Sequence, residues 1–305
     1  MVNKFTYRDV EWIDIESPTY EEIKAITTAR GLNRLLAQEL LAPTLKPKVD
    51  LYRDYIYLVL HFPAIRHSHS ADSANQEIDF VIGKNFIITT HYDTVDPLHE
   101  FSKIFEVNAI LDRSDMGEHA CFIFYHMIKH IYKGMVDELD GIKGRLSAIE
   151  TNIFSGRETA MVGDISKISK DILDIKGTLR PHGQVLDSLE IATIKLFGSD
   201  FTYPMRALKN ESYRVKNEIL HCSDLVRELR ETNNTLVSTK QNETMKQLAV
   251  IASIALPVAI LTGLLQIDTV SRPIVGVPGD FWIILFFMGL LAALLYSYSK
   301  AKKWL

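Results

Sequence analysis

Two long apolar runs without a single charge constrain this sequence more than any other feature. The first, "LAVIASIALPVAILTGLLQI", covers Leu248 to Ile267, and the second, "FWIILFFMGLLAALLYSYS", covers Phe281 to Ser299. At 1.5 Å per residue, a helix of either length crosses a hydrocarbon layer of about 30 Å. Inside lipid every backbone polar group needs a partner within the protein, so a lone run of this kind must be helical. Pro257 sits within the first run, and a neighbouring helix or water can satisfy the carbonyl it frees. Trp282 and Tyr298 stand near the two ends of the second, at the depth of interfacial aromatic belts. A buried soluble hairpin is the competing reading, but two adjacent charge-free runs rarely serve one. We therefore expect transmembrane helices at 248–267 and 281–299, joined by an extracytoplasmic loop at 268–280.

Lysine and arginine placement orients the pair. The loop carries Arg272 against Asp268 and Asp280, whereas the tail 300–305 carries Lys300, Lys302 and Lys303. The positive-inside bias puts that basic tail in the cytoplasm, and two spans return residues 1–247 to the same side. The expected location is the inner (plasma) membrane, with both termini cytoplasmic. "MVNKFTYRDVEW" has no apolar stretch of the kind a signal peptide needs.

The remaining composition excludes more than it suggests. A net charge of -4 offers no basic surface for nucleic acid. There is no Gly-rich phosphate loop, no HExxH and no GxSxG, so neither an enzyme nor a cofactor is expected. Cys121 and Cys222 lack metal-site spacing and read as reduced, buried thiols.

Residues 1–203 read as an α/β domain ending in a long helical pair. "EWIDIE" alternates like a strand, and "VDLYRDYIYLVLHF" and "EIDFVIGKNFIITTH" read as hairpins turning at Arg53-Asp54 and near Lys84-Asn85. Ser17 as N-cap, Pro18 at the first helical position and Gly31 at the end would bound one helix, with a second from Asn33 to Ala42. Helices are expected from Gly117 to about Phe154 and from Met161 to about Phe197. From Met205 no glycine or proline appears until Pro257. A single helix from Pro204 to Leu265 would be roughly 90 Å long. Leu208, Val215, Cys222, Leu229 and Leu236 recur every seven residues along it, flanked by Ile219 and Val226, a coiled-coil-like seam suited to holding an oligomer. Beyond it "RETNNTLVSTKQNETMKQ" is polar on most sides, as either a wet lumen or a solvated linker would be. Residues 204–247 are therefore read as a stalk.

The segment "NETMKQLAVIASIALPVAILTG", Asn242 to Gly263, closely resembles the first membrane span of the CorA family of divalent-cation transporters. The shared pattern is Asn-Glu-x-Met-Lys-x-Leu, then Val-Ile-Ala, a mid-span proline and Gly263. "WIDIESPTYEEI" and "EIDFVIGKNFIITTH" resemble the family's N-terminal strands. The long stalk, short loop and lysine-tipped second span complete a likeness over essentially the whole chain. It departs where the family carries Gly-Met-Asn at its pore mouth, since this chain has Gln266, Ile267 and Asp268 there. "VGVPGDFW" is similar to the zinc-transporting ZntB branch.

The resemblance implies a homopentameric funnel in the bilayer, with five first spans lining an axial pore and five second spans around them. Matched position by position, the lumen would meet Asn242, Met245, Leu248, Leu256, Ala259 and finally Asp268, with Gln266 beside it. Ala259 stands where the family often has threonine, so the lumen would be apolar from Leu248 to Ala259 and would close by dewetting. Five Asp268 carboxylates around an axis would favour cation entry. The competing reading pairs Asp268 with Arg272 as a surface ion pair. The implied function is passage of divalent cations, Mg²⁺ or a transition metal such as Zn²⁺, Co²⁺ or Ni²⁺, with the ion as cargo and regulator. A ZntB-like proton-coupled zinc transporter is one alternative. A non-conducting membrane-anchored scaffold or sensor is the other.

Two histidine groups and two acidic runs complete the reading. His61, His67 and His69 in "HFPAIRHSHS" are expected in a hairpin loop. His126 and His130, four apart on one helix, have a spacing compatible with two metal ligands, although neither group has a full set. "DELD" (Asp137 to Asp140) and "DISKISKDILD" (Asp164 to Asp174) read as solvated helix faces.

Overall fold

A computed structural model describes residues 1–64, 75–110, 119–267, 275–276 and 278–302. Its sheet has six strands: β1 (Val2–Tyr7), β2 (Val10–Glu16), β3 (Lys48–Leu51), β4 (Tyr55–Pro63), β5 (Asn75–Gly83) and β6 (Phe86–His91). They lie in the order β1-β2-β6-β5-β4-β3, antiparallel throughout except where β2 runs parallel to β6. Both hairpins turn where the sequence predicts, at Arg53-Asp54 and at Lys84-Asn85. β1 was not expected. Its registered pairing with β2, Phe5 opposite Trp12, supplies what its weak alternation does not announce.

Helices cover both faces of this sheet. On one side lie α1 (Tyr20–Arg30) and α2 (Arg34–Glu39), whose Ile23 and Leu36 join Ile13, Ile15, Tyr57, Val81 and Ile88 in a buried cluster. On the other lie α3 (Asp96–Ile110) and α4 (Ala120–Asn152). There Trp12 meets Phe101 and Phe105, and Phe80 meets Phe124 edge-on at 5.3 Å. Coverage on both faces explains why the central strands β4, β5 and β6 are buried at nearly every position, Asp79, Thr89 and Thr90 included.

The start of α1 departs from expectation. Its N-cap is Thr19, whose hydroxyl accepts from the Glu22 amide while the Glu22 carboxylate accepts from the Thr19 amide. Ser17 instead sits at φ 48° and donates to the Tyr92 carbonyl, so it is spent on the end of β6. Gly31 closes the helix at φ 63°, where a side chain would be strained.

The helical pair is three helices. After α4 the chain reverses through a turn at Ile153–Arg157, with Gly156 at φ 86°, into α5 (Glu158–Leu179). The expected continuation to Phe197 breaks at Arg180-Pro181, and α6 (His182–Phe197) follows. Proline has no amide hydrogen and disfavours helix at the preceding residue, which is why the break falls there. A short turn then leads into α7 (Thr202–Leu265), a single 64-residue helix, and α8 (Asp280–Ala301) ends the described chain.

Two compact units result. The first is Met1–Gly156 with Ala160–Leu229, and the second is Arg157–Thr159 with Arg230–Leu305. Within the first unit the heptad seam is already occupied. Leu208, Val215, Ile219, Cys222, Val226 and Leu229 are all buried within one chain. The Cys222 thiol lies 3.9 Å from the Leu139 carbonyl, and Lys143 of α4 bridges to Glu218 of α7 at 2.5 Å. This corrects the reading of the seam as an oligomer contact: its apolar positions complete the chain's own core, and only Leu236 falls beyond that unit.

Candidate functional site

The second unit is a helical hairpin with a packed side and a bare side. On α7, Val250, Ile254, Pro257, Val258, Leu261 and Leu265 are buried or half-buried. Facing them on α8 are Ile284, Met288, Leu291, Leu295 and Ser299, likewise withdrawn from the surface and spaced three or four apart. The Thr262 hydroxyl donates to the Val258 carbonyl at 2.9 Å and lies 3.9 Å from the Met288 sulfur. These stripes define the packed side of a helical hairpin.

Asn242, Met245, Leu248, Leu256, Ala259 and Gln266 are all exposed. At 3.6 residues per turn they fall in one sector of α7, opposite the stripe that meets α8. Met245 is 67% exposed and Leu256 60%. A helix with an apolar face this bare, flanked by exposed Ile251, Ile260 and Leu264, cannot end in water and needs lipid or further copies around it. The same holds for α8, where Phe281, Trp282, Phe286 and Leu294 project outward.

Pro257 withholds an amide from the Ser253 carbonyl without breaking α7. The helix ends by tightening, with the Gln266 amide on the Gly263 carbonyl at 3.2 Å and that of Ile267 on Leu264 at 3.3 Å. Gln266 thus stands at the C-terminal, partially negative end of a helix dipole, a favourable place for a cation. Asp268 and Arg272 lie outside the described residues, as do His67 and His69.

His126 and His130 share a cavity of about 410 Å³ with Lys129, Lys133 and Arg214. The His130 Nε2 is 3.4 Å from a Glu100 carboxylate oxygen. Among the described residues no group of three His, Cys, Asp or Glu side chains could hold a metal. The two histidines line one cavity, where three cations outnumber the acid Glu211, and His130 meets Glu100. His61 lies on β4, where its Nε2 meets the Thr44 carbonyl at 2.9 Å and Glu77 at 3.0 Å. Both acidic runs lie on exposed or half-exposed faces apart from their apolar members, with Asp140 on Lys143 and Asp171 near Arg145.

Sequence reasoning missed one buried carboxyl pair. Glu77 and Asp79 are two apart on β5 and so share a face. Burial would raise Glu77, but hydrogen bonds from His61 and Thr44 prevail and hold it below the usual carboxylate range. Asp79, fully buried beside it, is driven well above that range by burial and by the Glu77 charge. The alternation in "EIDF" was the available signal.

With this geometry in hand, comparisons place the chain among known proteins. A family model described as "CorA-like Mg2+ transporter protein" matches residues 7–300. The cobalt/magnesium transport protein CorA of Thermotoga maritima is 23% identical over 99% of this chain and 89% of its own length. The complete CorA magnesium transporter structure from Methanocaldococcus jannaschii superposes with a TM-score of 0.83 at 17% identity, covering 97% of this chain and 92% of that one. The cytoplasmic domain of ZntB from Vibrio parahaemolyticus gives 0.61 at 14% identity, covering 77% and 90%.

Proposed function

This chain belongs to the CorA-like Mg2+ transporter family, and on that premise we propose that it conducts divalent cations through an axial pore formed by five copies of itself. The observation that carries this reading is the two-sidedness of α7. One side is packed on α8, and the opposite side, bearing Asn242, Met245, Leu248, Leu256 and Ala259, is bare. A ring of copies would turn that side inward and leave α8 toward lipid. Residues 204–247 then serve as stalk, 248–267 and 281–299 as the spans, and both termini stay cytoplasmic.

The lumen so formed has a polar entrance at Asn242 and an apolar stretch from Leu248 to Ala259. Such a stretch empties of water when narrow and blocks ions without a plug. At the far end Gln266, the α7 C-terminus and, two residues on in sequence, Asp268 supply acceptors for a hydrated ion. Mg²⁺ gives up water reluctantly, so this mouth would hold the ion through its water shell. Flux follows the electrochemical gradient, to which the membrane potential adds ~2.3 kcal/mol per charge per 100 mV.

The test is uptake of Mg²⁺, Co²⁺ and Zn²⁺ into proteoliposomes holding the full-length protein, with native mass spectrometry of the same preparation. A pentamer carrying saturable divalent flux is expected. A stable monomer or dimer, or a pentamer without flux of any of the three, overturns the reading.

A further inference from the structure

We propose that the first unit carries a binding site for a phosphorylated organic anion of about nucleotide size, in the cavity between α6 and α7. The proposal does not depend on the transport reading. The cavity encloses about 680 Å³, within the range of small-molecule sites. It is amphipathic. Leu179 and Leu220, backed by buried Leu186, Val215 and Ile219, supply an apolar wall, while Lys176, Arg180, Lys209 and Lys216 contribute four cations.

The charge balance singles this cavity out. Among the described residues Asp187 is the one acid lining it, and that carboxylate already lies 2.6 Å from Lys209, which also reaches Glu190 at 2.9 Å. Among the described residues, Lys176, Arg180 and Lys216 form no ion pair, although they come from two helices and the turn between α5 and α6. Convergent like charges repel unless an anion sits among them, and guanidinium and ammonium groups together suit phosphate oxygens. Gly183 and Gln184, in the uncapped first turn of α6, line the same space and add amide donors.

The floor favours an organic ligand over a bare inorganic ion. Tyr132 lies there with its hydroxyl 2.7 Å from His182 Nδ1, and the His182 Nε2 is 2.8 Å from the His61 carbonyl. A carbonyl only accepts, so Nε2 donates, Nδ1 accepts, and the Tyr132 hydroxyl donates inward to His182. The Tyr132 ring, 1% exposed, closes the floor under this relay, and the surface left for a base or acyl body rather than for solvated charge is that of exposed Leu220 and half-buried Leu179. Tyr213, half exposed at the rim, offers a ring beside them.

The probe is ATP, titrated calorimetrically into full-length protein in detergent with chelator present and divalent ions absent. Saturable binding is expected. Sodium triphosphate and adenosine should each bind at least ~10-fold more weakly, since each lacks half of the recognised chemistry. Lys216→Glu and Arg180→Glu, both at exposed positions, should each weaken ATP at least ~10-fold with unchanged circular dichroism and oligomeric mass. Lys170→Glu, on α5 and outside the cavity, should bind as wild type. Absence of binding up to ~5 mM overturns the proposal. So does unaltered affinity in both cavity variants, or triphosphate binding as tightly as ATP, or a Lys216→Glu variant whose only change is in oligomeric mass.

Discussion

The Glu158 carboxylate, 5% exposed at the start of α5, lies 2.7 Å from the Lys240 ammonium on α7. The contact fastens the turn at Arg157–Thr159 to the polar stretch of the long helix, inside the second unit.

The Lys240 hydrogen bond holds the Glu158 pKa below its ordinary 4.5. A carboxylate lowered on folding stabilises the folded form above its unfolded value, and that contribution is lost as pH falls through the folded one. At pH 7 Glu158→Gln should therefore speed hydrogen exchange several-fold at 157–160 and 236–242, and acid should do the same to wild type. Equal exchange in variant and wild type at pH 7 would show the contact to be passive.

His182 adds a pH dependence of the same sign, beginning at higher pH. Burial pushes its pKa down to about 4, so the folded protein keeps it neutral while the unfolded chain protonates near 6.5. Between those values stability falls with falling pH by ~1.4 kcal/mol per pH unit for this one group. His182→Gln retains a donor for the His61 carbonyl but cannot titrate, so it should flatten the slope by that amount. Thermal unfolding of the full-length protein between pH 4.5 and pH 7, as a range of ~2.5 units, reads the difference.

The seam is a core feature, and its substitutions should behave as such. Leu208→Ala, at a fully buried site, should cost ~2–5 kcal/mol in unfolding of the first unit. Leu236→Ala, half-buried and in the second unit, should cost a small fraction of that. If denaturation shows the two alike, the burial pattern along α7 does not govern stability.

Opposite faces of α7 should answer differently to the same polar change. Leu256→Ser, on the bare side, should wet the apolar stretch and raise divalent leak several-fold with little change in melting temperature. Leu261→Ser, on the side meeting α8, should lower the melting temperature and leave selectivity alone. Uptake and melting curves on both variants decide, and a reversed pattern would place the pore elsewhere.

Asp268 follows α7 by three residues in sequence, at the far end of the proposed pore. If the proposed pentamer sets five Asp268 carboxylates around its axis, Asp268→Asn should slow uptake most at low ionic strength, because a Debye length of ~8 Å at physiological salt already screens such a ring. Arg272→Ala should not. Uptake by Asp268→Asn equal to wild type at both low and high salt would reduce the acid to an interfacial residue.

Much of this molecule is fixed by local chemistry that a linear reading reaches. Charge-free length makes 248–267 and 281–299 helices suited to lipid, because any other backbone would leave its polar groups unpaired there. Turn residues at Arg53-Asp54 and Lys84-Asn85 fix both hairpins, and the absence of glycine and proline from Met205 to Pro257 leaves one long helix. The exposed sector from Asn242 to Gln266 also follows from spacing, since helical periodicity alone groups those residues on one side.

Tertiary structure decided which partner each face takes. The heptad from Leu208 to Leu229 suits a neighbouring chain as well as its own α4, and periodicity cannot choose, because burial is worth the same against either surface. Packing gave it to the chain's own core. Ser17 and Thr19 are both good caps by type, and the hydrogen bond Ser17 makes to Tyr92, 75 residues away, assigned the cap to Thr19. Lys176, Arg180 and Lys216 look like scattered surface charges in the sequence. Only the break at Pro181 and the approach of α7 bring them around one cavity, because charges distant along a chain become neighbours only when long-range packing closes the loop between them.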